Sequence, residues 1–323
     1  MTKQWIKWFA LAALTAFAAS ATAQGFPSKQ VRIIVPQAPG GASDALSRII
    51  AAKLGEKWGQ QVIVENRAGA GGNIGTLEAA KAPADGHTLL LGYIGTNAIN
   101  PSLYQNLAWD PVKDFVAVAT LAAVPFVVVV NPNLAVYTTQ ELIASAKGAS
   151  GKLTYSSAGN GSVNHLLGEM FNSAAGVKMT HIPYKGAGPA LADLIGGQVQ
   201  VSFTSMPSVI GHITAGKLRA IAVTSGARSD ALPELPTLAE SGLAGFDVYP
   251  WFGLFAPAAT PAAIVGQLNR EINELLATPD VRARFAGQGA VPMATTPAEF
   301  AALLKQDIEK WAKVVKDSGA KID

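Results

Sequence analysis

Two glycine-rich stretches carry the residue types that could do chemistry in this chain. The first is Pro36-Gln37-Ala38-Pro39-Gly40-Gly41-Ala42-Ser43-Asp44. It joins a short apolar run, Val31–Val35, to a periodic segment, Ala45 to Trp58, that reads as a helix. The second, Ser156-Ser157-Ala158-Gly159-Asn160-Gly161-Ser162, also follows a strand-like run and opens a helical pattern. A helix N-terminus presents unpaired backbone N–H groups and the positive end of the helix dipole. Glycines there let a ligand approach the backbone closely. Together these features can hold an anion without a lysine or arginine. The same pattern also suits a plain strand-to-helix turn, and one such loop alone leaves both readings open.

Further side chains cluster near these loops. Asp44, in the first turn of its helix, either complements the dipole or accepts a hydrogen bond from a ligand. His165 either packs and caps its helix or contacts a ligand. Ser156, Ser157 and Ser162 with His165 suggest a nucleophile, but the sequence supplies no third group to orient the histidine. Tyr93 to Pro101, with Thr96 and Asn97, suits a neutral polar contact. His181 to Gly186 is a third loop of this type, and its Lys185 reads either as a counter-charge or as a solvated lysine. No G-x-S-x-G, H-E-x-x-H or P-loop pattern is present. With no cysteine and only four histidines, disulfides, thiolate chemistry and a catalytic metal are not expected, and no cofactor is called for.

The elements that must position these residues alternate between β-branched runs and helical patterns. Strand candidates are Val31–Val35, Gln61–Glu65, Thr88–Gly92, Val116–Ala119 and Phe126–Val130, then Leu153–Ser156, Thr180–Ile182, Val199–Phe203 and Leu218–Thr224. Such alternation argues for parallel sheets in an α/β fold. The texture changes after Asp230. Trp251–Ala256 is another apolar strand, and the tail is helical. Thr260-Pro261 and Thr278-Pro279 each read as an N-cap followed by proline, and Thr296-Pro297-Ala298-Glu299 as a capping box. The pattern gives two α/β lobes, with the apolar strands near 126 and 253 as the places where the chain crosses between them. If both glycine-rich loops face the cleft, two helix N-termini meet there.

Met1 to Ala23 has a short basic start, an apolar run from Trp8 to Ala19 and an Ala21-Thr22-Ala23 cleavage site, so it reads as an export signal cut after Ala23. Removing Lys3 and Lys7 lowers the formal charge from +3 to +1. That balance gives no electrostatic case for nucleic acid. About 300 remaining residues can bury a large core and favour two domains.

In chain order, the stretch from Pro36 to Asp44 is followed by Glu65-Asn66-Arg67-Ala68-Gly69-Ala70-Gly71-Gly72 and Pro83-Ala84-Asp85-Gly86-His87. Then come Ser157 to Ser162 with His165-Leu166, Pro183-Tyr184-Lys185-Gly186, Gly216-Lys217-Leu218-Arg219-Ala220 and Pro236-Thr237-Leu238-Ala239-Glu240-Ser241-Gly242. In this order the set resembles the Bug-type receptors, the extracytoplasmic solute-binding proteins of tripartite tricarboxylate transporters, over nearly the whole mature chain. The resemblance implies a periplasmic binding protein type II fold, two α/β lobes joined by two crossing strands around a ligand cleft. Its lobe limits would be 24–124 and 236–323 for the first lobe and 125–235 for the second. It implies a periplasmic monomer that passes a small carboxylated solute to membrane permease subunits. The solute would be a di- or tricarboxylate, an aromatic acid or an acidic amino acid. The carboxylate grip carries over to Gly40, Gly41, Ser43 and Asp44 and to Gly159, Gly161, Ser162 and His165. Thr96, Asn97 and the segment near Ser205 would line the far side. Gln37 departs from the pattern, which places an aromatic after the first proline. Two other functions remain as expectations: a periplasmic hydrolase using Ser157 or Ser162, and a ligand-loaded sensor for a membrane kinase.

Overall fold

The computed structural model describes residues 25–149, 152–320 and 322; the export signal and its cleavage site lie outside them. In chain order the elements are β1 (Val31–Val35), α1 (Ala42–Trp58), β2 (Val62–Asn66), a 3₁₀ turn (Ala70–Gly72), α2 (Asn73–Ala80), β3 (Thr88–Tyr93), a π turn (Gly95–Ile99), α3 (Asn100–Leu103) and β4 (Phe115–Ala123). They continue with β5 (Phe126–Val130), α4 (Thr139–Ala149), β6 (Thr154–Ser157), α5 (Val163–Ala175), β7 (Thr180–Pro183), α6 (Ala187–Ile195), β8 (Val201–Ser205), α7 (Met206–Thr214) and β9 (Arg219–Val223). The chain ends with β10 (Trp251–Pro257), α8 (Ala262–Ala277), α9 (Pro279–Ala286), β11 (Val291–Pro292) and α10 (Pro297–Ser318).

The strands form two sheets, ordered β11-β4-β10-β3-β1-β2 and β7-β6-β8-β5-β9. The expectation of parallel sheets holds for β2-β1-β3 and for β7-β6-β8, the strands linked by helical crossovers. It fails for β10, antiparallel to β3 and β4, and for β5, antiparallel to β8 and β9. Each of these two strands enters its sheet directly from the other sheet's side of the molecule, with no helical return to reverse it. Both are wholly buried, as their apolar runs require.

The crossings themselves are the short segments just before these strands. Val124 N–H donates to Pro250 O at 2.8 Å, so the outgoing and returning chains lie side by side. Thr224 ties the second sheet to the same place: its N–H donates to Phe126 O, and its hydroxyl and carbonyl bond Val248.

The C-terminal helix α10 closes the first sheet. Thr296 and Glu299 form the expected capping box. Phe300, Leu304, Trp311 and Val315 are buried, each contributing about 1.5–3 kcal/mol of burial. Phe300 lies so close over Gly253 that any side chain there would strike its ring. Thr278 caps α9 as expected, through its hydroxyl and the N–H of Val281. Thr260 does not cap α8. Pro261 occupies that position, the helix starts at Ala262, and the Thr260 hydroxyl is buried without a partner. The His87 ring packs on Phe26 at 5.1 Å, and its Nε2 accepts the Ser28 N–H.

Candidate functional site

The β1–α1 loop leaves the carboxyl end of β1, the edge where ligands sit in open α/β sheets. Helix α1 begins with Gly41 at its N-cap in extended geometry (φ −89°, ψ 177°), and no side chain caps it. The first intrahelical bond runs from Ala45 N–H to Gly41 O, so the N–H groups of Ala42, Ser43 and Asp44 have no acceptor within the helix. Asp44 is buried and fully engaged. Its Oδ2 accepts the Gly40 N–H at 3.1 Å, and its Oδ1 accepts Arg48 Nε at 3.0 Å. Burial pushes the carboxyl up, but Arg48, the Gly40 N–H and Asn66 together hold it below the usual range. Of the two roles open to Asp44 in the sequence, the geometry therefore supports positioning: it folds Gly40 back over the helix start. The Gly40 N–H is spent in that contact.

The wall beside this helix start is built from Gln37, Ser43 and Tyr93. The Ser43 hydroxyl donates to Gln37 Oε1, and Asn66 Nδ2 donates to Gln37 O at 3.1 Å. Burial pushes the Tyr93 hydroxyl up, opposed by a hydrogen bond from Gln37. Thr96 and Asn97 are wholly buried, bonded to each other at 2.7 Å. Asn97 Nδ2 is buried with no hydrogen-bond partner among the described residues. Glycine is required at position 72, where a Cβ would meet Thr96 Cγ2 at 2.4 Å and Pro36 O at 3.1 Å. That close approach locks the π turn to the β1–α1 loop.

In the second lobe, Ser162 is the N-cap of α5, its hydroxyl accepting the His165 N–H and donating to Gly159 O at 2.7 Å. The N–H groups of Val163 and Asn164 have no acceptor within the helix. Gly161 N–H donates to His165 Nδ1 at 3.0 Å, which places the ring hydrogen on Nε2. So His165 caps and packs, fixing the loop. Ser205, at the carboxyl end of β8, bonds Ser208 through its hydroxyl at 2.8 Å.

Sequence reasoning missed His181. Its ring stacks on His165 at 3.9 Å and on Tyr155 at 5.0 Å, and its Nε2 lies 2.6 Å from the Ser157 hydroxyl. The signal was its place on the strand next to β6, two residues before that strand's end. The serine–histidine pair thus exists, but between Ser157 and His181 rather than with His165, and it is poorly suited to catalysis. Burial, reinforced by His165, pushes His181 down to about 3, far below a useful general base. Among the described residues no carboxylate orients its other nitrogen, and Ser157 is wholly buried.

The two histidines make a pH prediction. Burial lowers both, more than the Glu169 charge raises His165. The unfolded chain takes up protons near pH 6.5 while the folded chain resists them. Stability therefore rises with pH between about 3 and 6.5 and is lost on acidification, by up to about 1.4 kcal/mol per pH unit from His181 alone. Urea unfolding at pH 7 and pH 5 will show the folded state weaker at pH 5 by about 2 kcal/mol. His181→Gln will flatten that slope.

Contact between lobes runs through the second loop. A Cβ on Gly161 would lie 1.9 Å from Leu103 Cδ2, so this loop rests on α3 of the first lobe. Helix α3 continues from the π turn that Gly72 locks to Pro36. One packed surface therefore connects both glycine-rich loops. Two surface concavities, of about 280 and 420 Å³, lie elsewhere, around Lys29 to Thr88 and around Pro132 to Leu235. Lys185 is exposed beside its glycine turn. Lys185→Ala will change affinity for a carboxylated solute by less than about threefold in calorimetry if backbone N–H groups hold the anion, as the sequence reading expects.

The chain has close relatives. Residues 46–320 match the family described as the tripartite tricarboxylate transporter family receptor; the match begins just after the β1–α1 loop. Protein BugT of Bordetella pertussis is 41% identical over 311 residues, covering 96% of this chain and 95% of that one. A solved R. palustris protein with adipate superposes with a TM-score of 0.87 at 36% identity, covering 92% of this chain and 99% of its own. MatC from Rhodopseudomonas palustris, solved with bound malate, gives 0.81 at 35% identity, covering 90% and 100%. These relatives are receptors rather than enzymes. With its two-lobed fold and its match across most of its length, this chain belongs to the tripartite tricarboxylate transporter receptor family, and is a periplasmic solute-binding receptor.

Proposed function

We propose that the protein captures a small carboxylated solute between its lobes and delivers it to a tripartite tricarboxylate-type permease. The solute's shared carboxylate sits between the N-termini of α1 and α5, held by the N–H groups of Ala42, Ser43, Val163 and Asn164 with ordered water. The observation that carries this reading is the start of α1. It lies at the carboxyl edge of the sheet with three N–H groups unused by the helix, no side-chain cap, and Gly41 in open space. The adipate and malate of the two solved relatives fit a site of this chemistry. In this reading the lobes are 24–124 with 236–323, and 125–235, and the mature chain begins after Ala23. Ligand closes the lobes only through its higher affinity for the closed state.

A thermal-shift panel of di- and tricarboxylates, aromatic acids and acidic amino acids, paired with product analysis, tests the reading. A solute at 100 times its Kd adds about 2.7 kcal/mol to stability. At least one class will raise Tm by several degrees and be recovered unchanged. Turnover of a stabilising compound, or no shift from any class, would contradict the proposal. Delivery to a permease, as against loaded-state sensing, is tested by solute uptake in cells lacking the permease subunits.

A further inference from the structure

The carboxylate grip is common to every acid the receptor could take, so selection must come from the groups beside it. Gln37 is tied to the grip by one hydrogen bond, because the Ser43 hydroxyl that donates to its Oε1 belongs to the first turn of α1. Its backbone carbonyl is pinned by Asn66, and Asn66 is pinned in turn by Arg48. The Tyr93 hydroxyl lies beside its side-chain amide, whose contact opposes the effect of burial on that hydroxyl. The Tyr93 ring stacks on Phe252 at 5.8 Å, and its hydroxyl end lies over Gly95, where a Cβ would fall 2.5 Å from the oxygen.

A count of donors and acceptors then decides what this wall can bind. The Gln37 Oε1 is taken by Ser43. A Gln37 amide hydrogen and the Tyr93 hydroxyl hydrogen have no acceptor among the described residues. The one carboxylate at the loop, Asp44, is saturated by Gly40 and Arg48. The wall therefore offers two neutral donors and the lone pairs of neutral oxygens, with no free anion. It suits an acceptor oxygen on the solute, gives nothing to a methyl group, and leaves an ammonium desolvated without a counter-charge.

We propose that Gln37, fixed between Ser43 and Tyr93, is a specificity-determining residue of the carboxylate site, selecting solutes whose far end bears an acceptor oxygen over those ending in a methyl or ammonium group. This inference rests on the carboxylate-receptor reading. Within the acids that reading allows, it favours dicarboxylates and hydroxy acids over amino acids.

Calorimetric titration of the mature chain with two series tests it. One is adipate, ω-hydroxyhexanoate, hexanoate and ω-aminohexanoate; the other is succinate, ω-hydroxybutyrate, butyrate and ω-aminobutyrate. In the better-binding series, acceptor-ended acids will bind about tenfold tighter than the methyl-ended acid, a difference of one to two hydrogen bonds, and the ammonium-ended acid will bind weakest. Gln37→Leu will bring acceptor-ended acids to within about twofold of the methyl-ended one. Tyr93→Phe will move the ratio in the same direction, and serves alone if Gln37→Leu does not fold. An unchanged ratio in these variants would overturn the assignment of Gln37 while leaving the carboxylate site standing. So would equal loss for all acids, which would make Gln37 only a support of the loop. Binding of neither series by the unaltered protein contradicts the carboxylate reading, and this inference with it.

Discussion

Gly41→Val will abolish carboxylate binding while leaving the fold intact. The position makes this separation available. Gly41 sits at φ −89° and ψ 177°, extended backbone that a β-branched residue adopts without strain, and a Cβ there meets nothing within 4 Å. Valine is a poorer N-cap than glycine, a cost of about 1 kcal/mol at most in a helix that has no side-chain cap to lose. Its two methyl groups, however, would stand at the helix start, over the N–H groups of Ala42 and Ser43. An anion needs those donors at about 3 Å. Excluding it removes the charge-assisted bonds from one side of the grip, and the expected loss exceeds about 100-fold in Kd, or roughly 2.7 kcal/mol. Titration calorimetry with the best-bound acid measures the loss, and circular dichroism melting checks that Tm falls by less than about 4 °C. Normal binding by this variant would reduce the β1–α1 loop to a turn.

Gly161→Ala should be nearly as damaging, for a reason that lies across the cleft. The residue has φ +73°, a conformation that costs an alanine about 1 kcal/mol. The larger effect is steric. The new methyl would lie 1.9 Å from Leu103 Cδ2 and about 3 Å from the rest of that side chain. The loop must lift off α3, carrying Ser162 and the N-terminus of α5 with it. The two helix starts proposed to hold the anion then lose their spacing, and affinity should fall about 30-fold, some 2 kcal/mol. The collision predicts its own rescue. Leu103→Ala in the same chain removes the obstructing atoms and should recover binding to within about fivefold of the unaltered protein, the remainder being backbone strain. Failure of the double variant to recover would show that Gly161 matters only through its φ, and that the lobe contact is incidental.

Much of this arrangement was legible in the sequence because it is local. A strand, a glycine-rich loop and a helix start occur within about 20 residues, and their order defines where the N–H groups point. Thr278 and Thr296 announced their helices for the same reason. What the sequence hid depends on neighbours distant in the chain. The antiparallel placement of β5 and β10 follows from which sheet each strand joins after a crossing. Thr260 lost its cap because Pro261 took the N-cap position, a shift of one residue that composition does not register. Thr96 and Asn97 read as polar lining; their burial, and the close approach of Gly72 to Thr96 and Pro36, depend on packing between segments distant in the chain. His181 was invisible as a partner of Ser157 because the pairing needs β7 beside β6, whereas Ser162 and His165, three residues apart, were visible and proved to be cap and support. Gln37 stood out as a departure from the family pattern, and its meaning came only with Ser43, Asn66 and Tyr93 around it.

The central claim is that one carboxylate is gripped by two helix starts from opposite lobes. A crystal structure of the mature chain with adipate or malate, whichever raises Tm more, tests it directly. The account predicts a carboxylate whose oxygens lie about 3 Å from N–H groups at the start of α1 and, directly or through one water, at the start of α5, with no lysine or arginine side chain touching it. A carboxylate held by Lys185 or Arg48, held by one lobe alone, or seated in either of the outer concavities would contradict it.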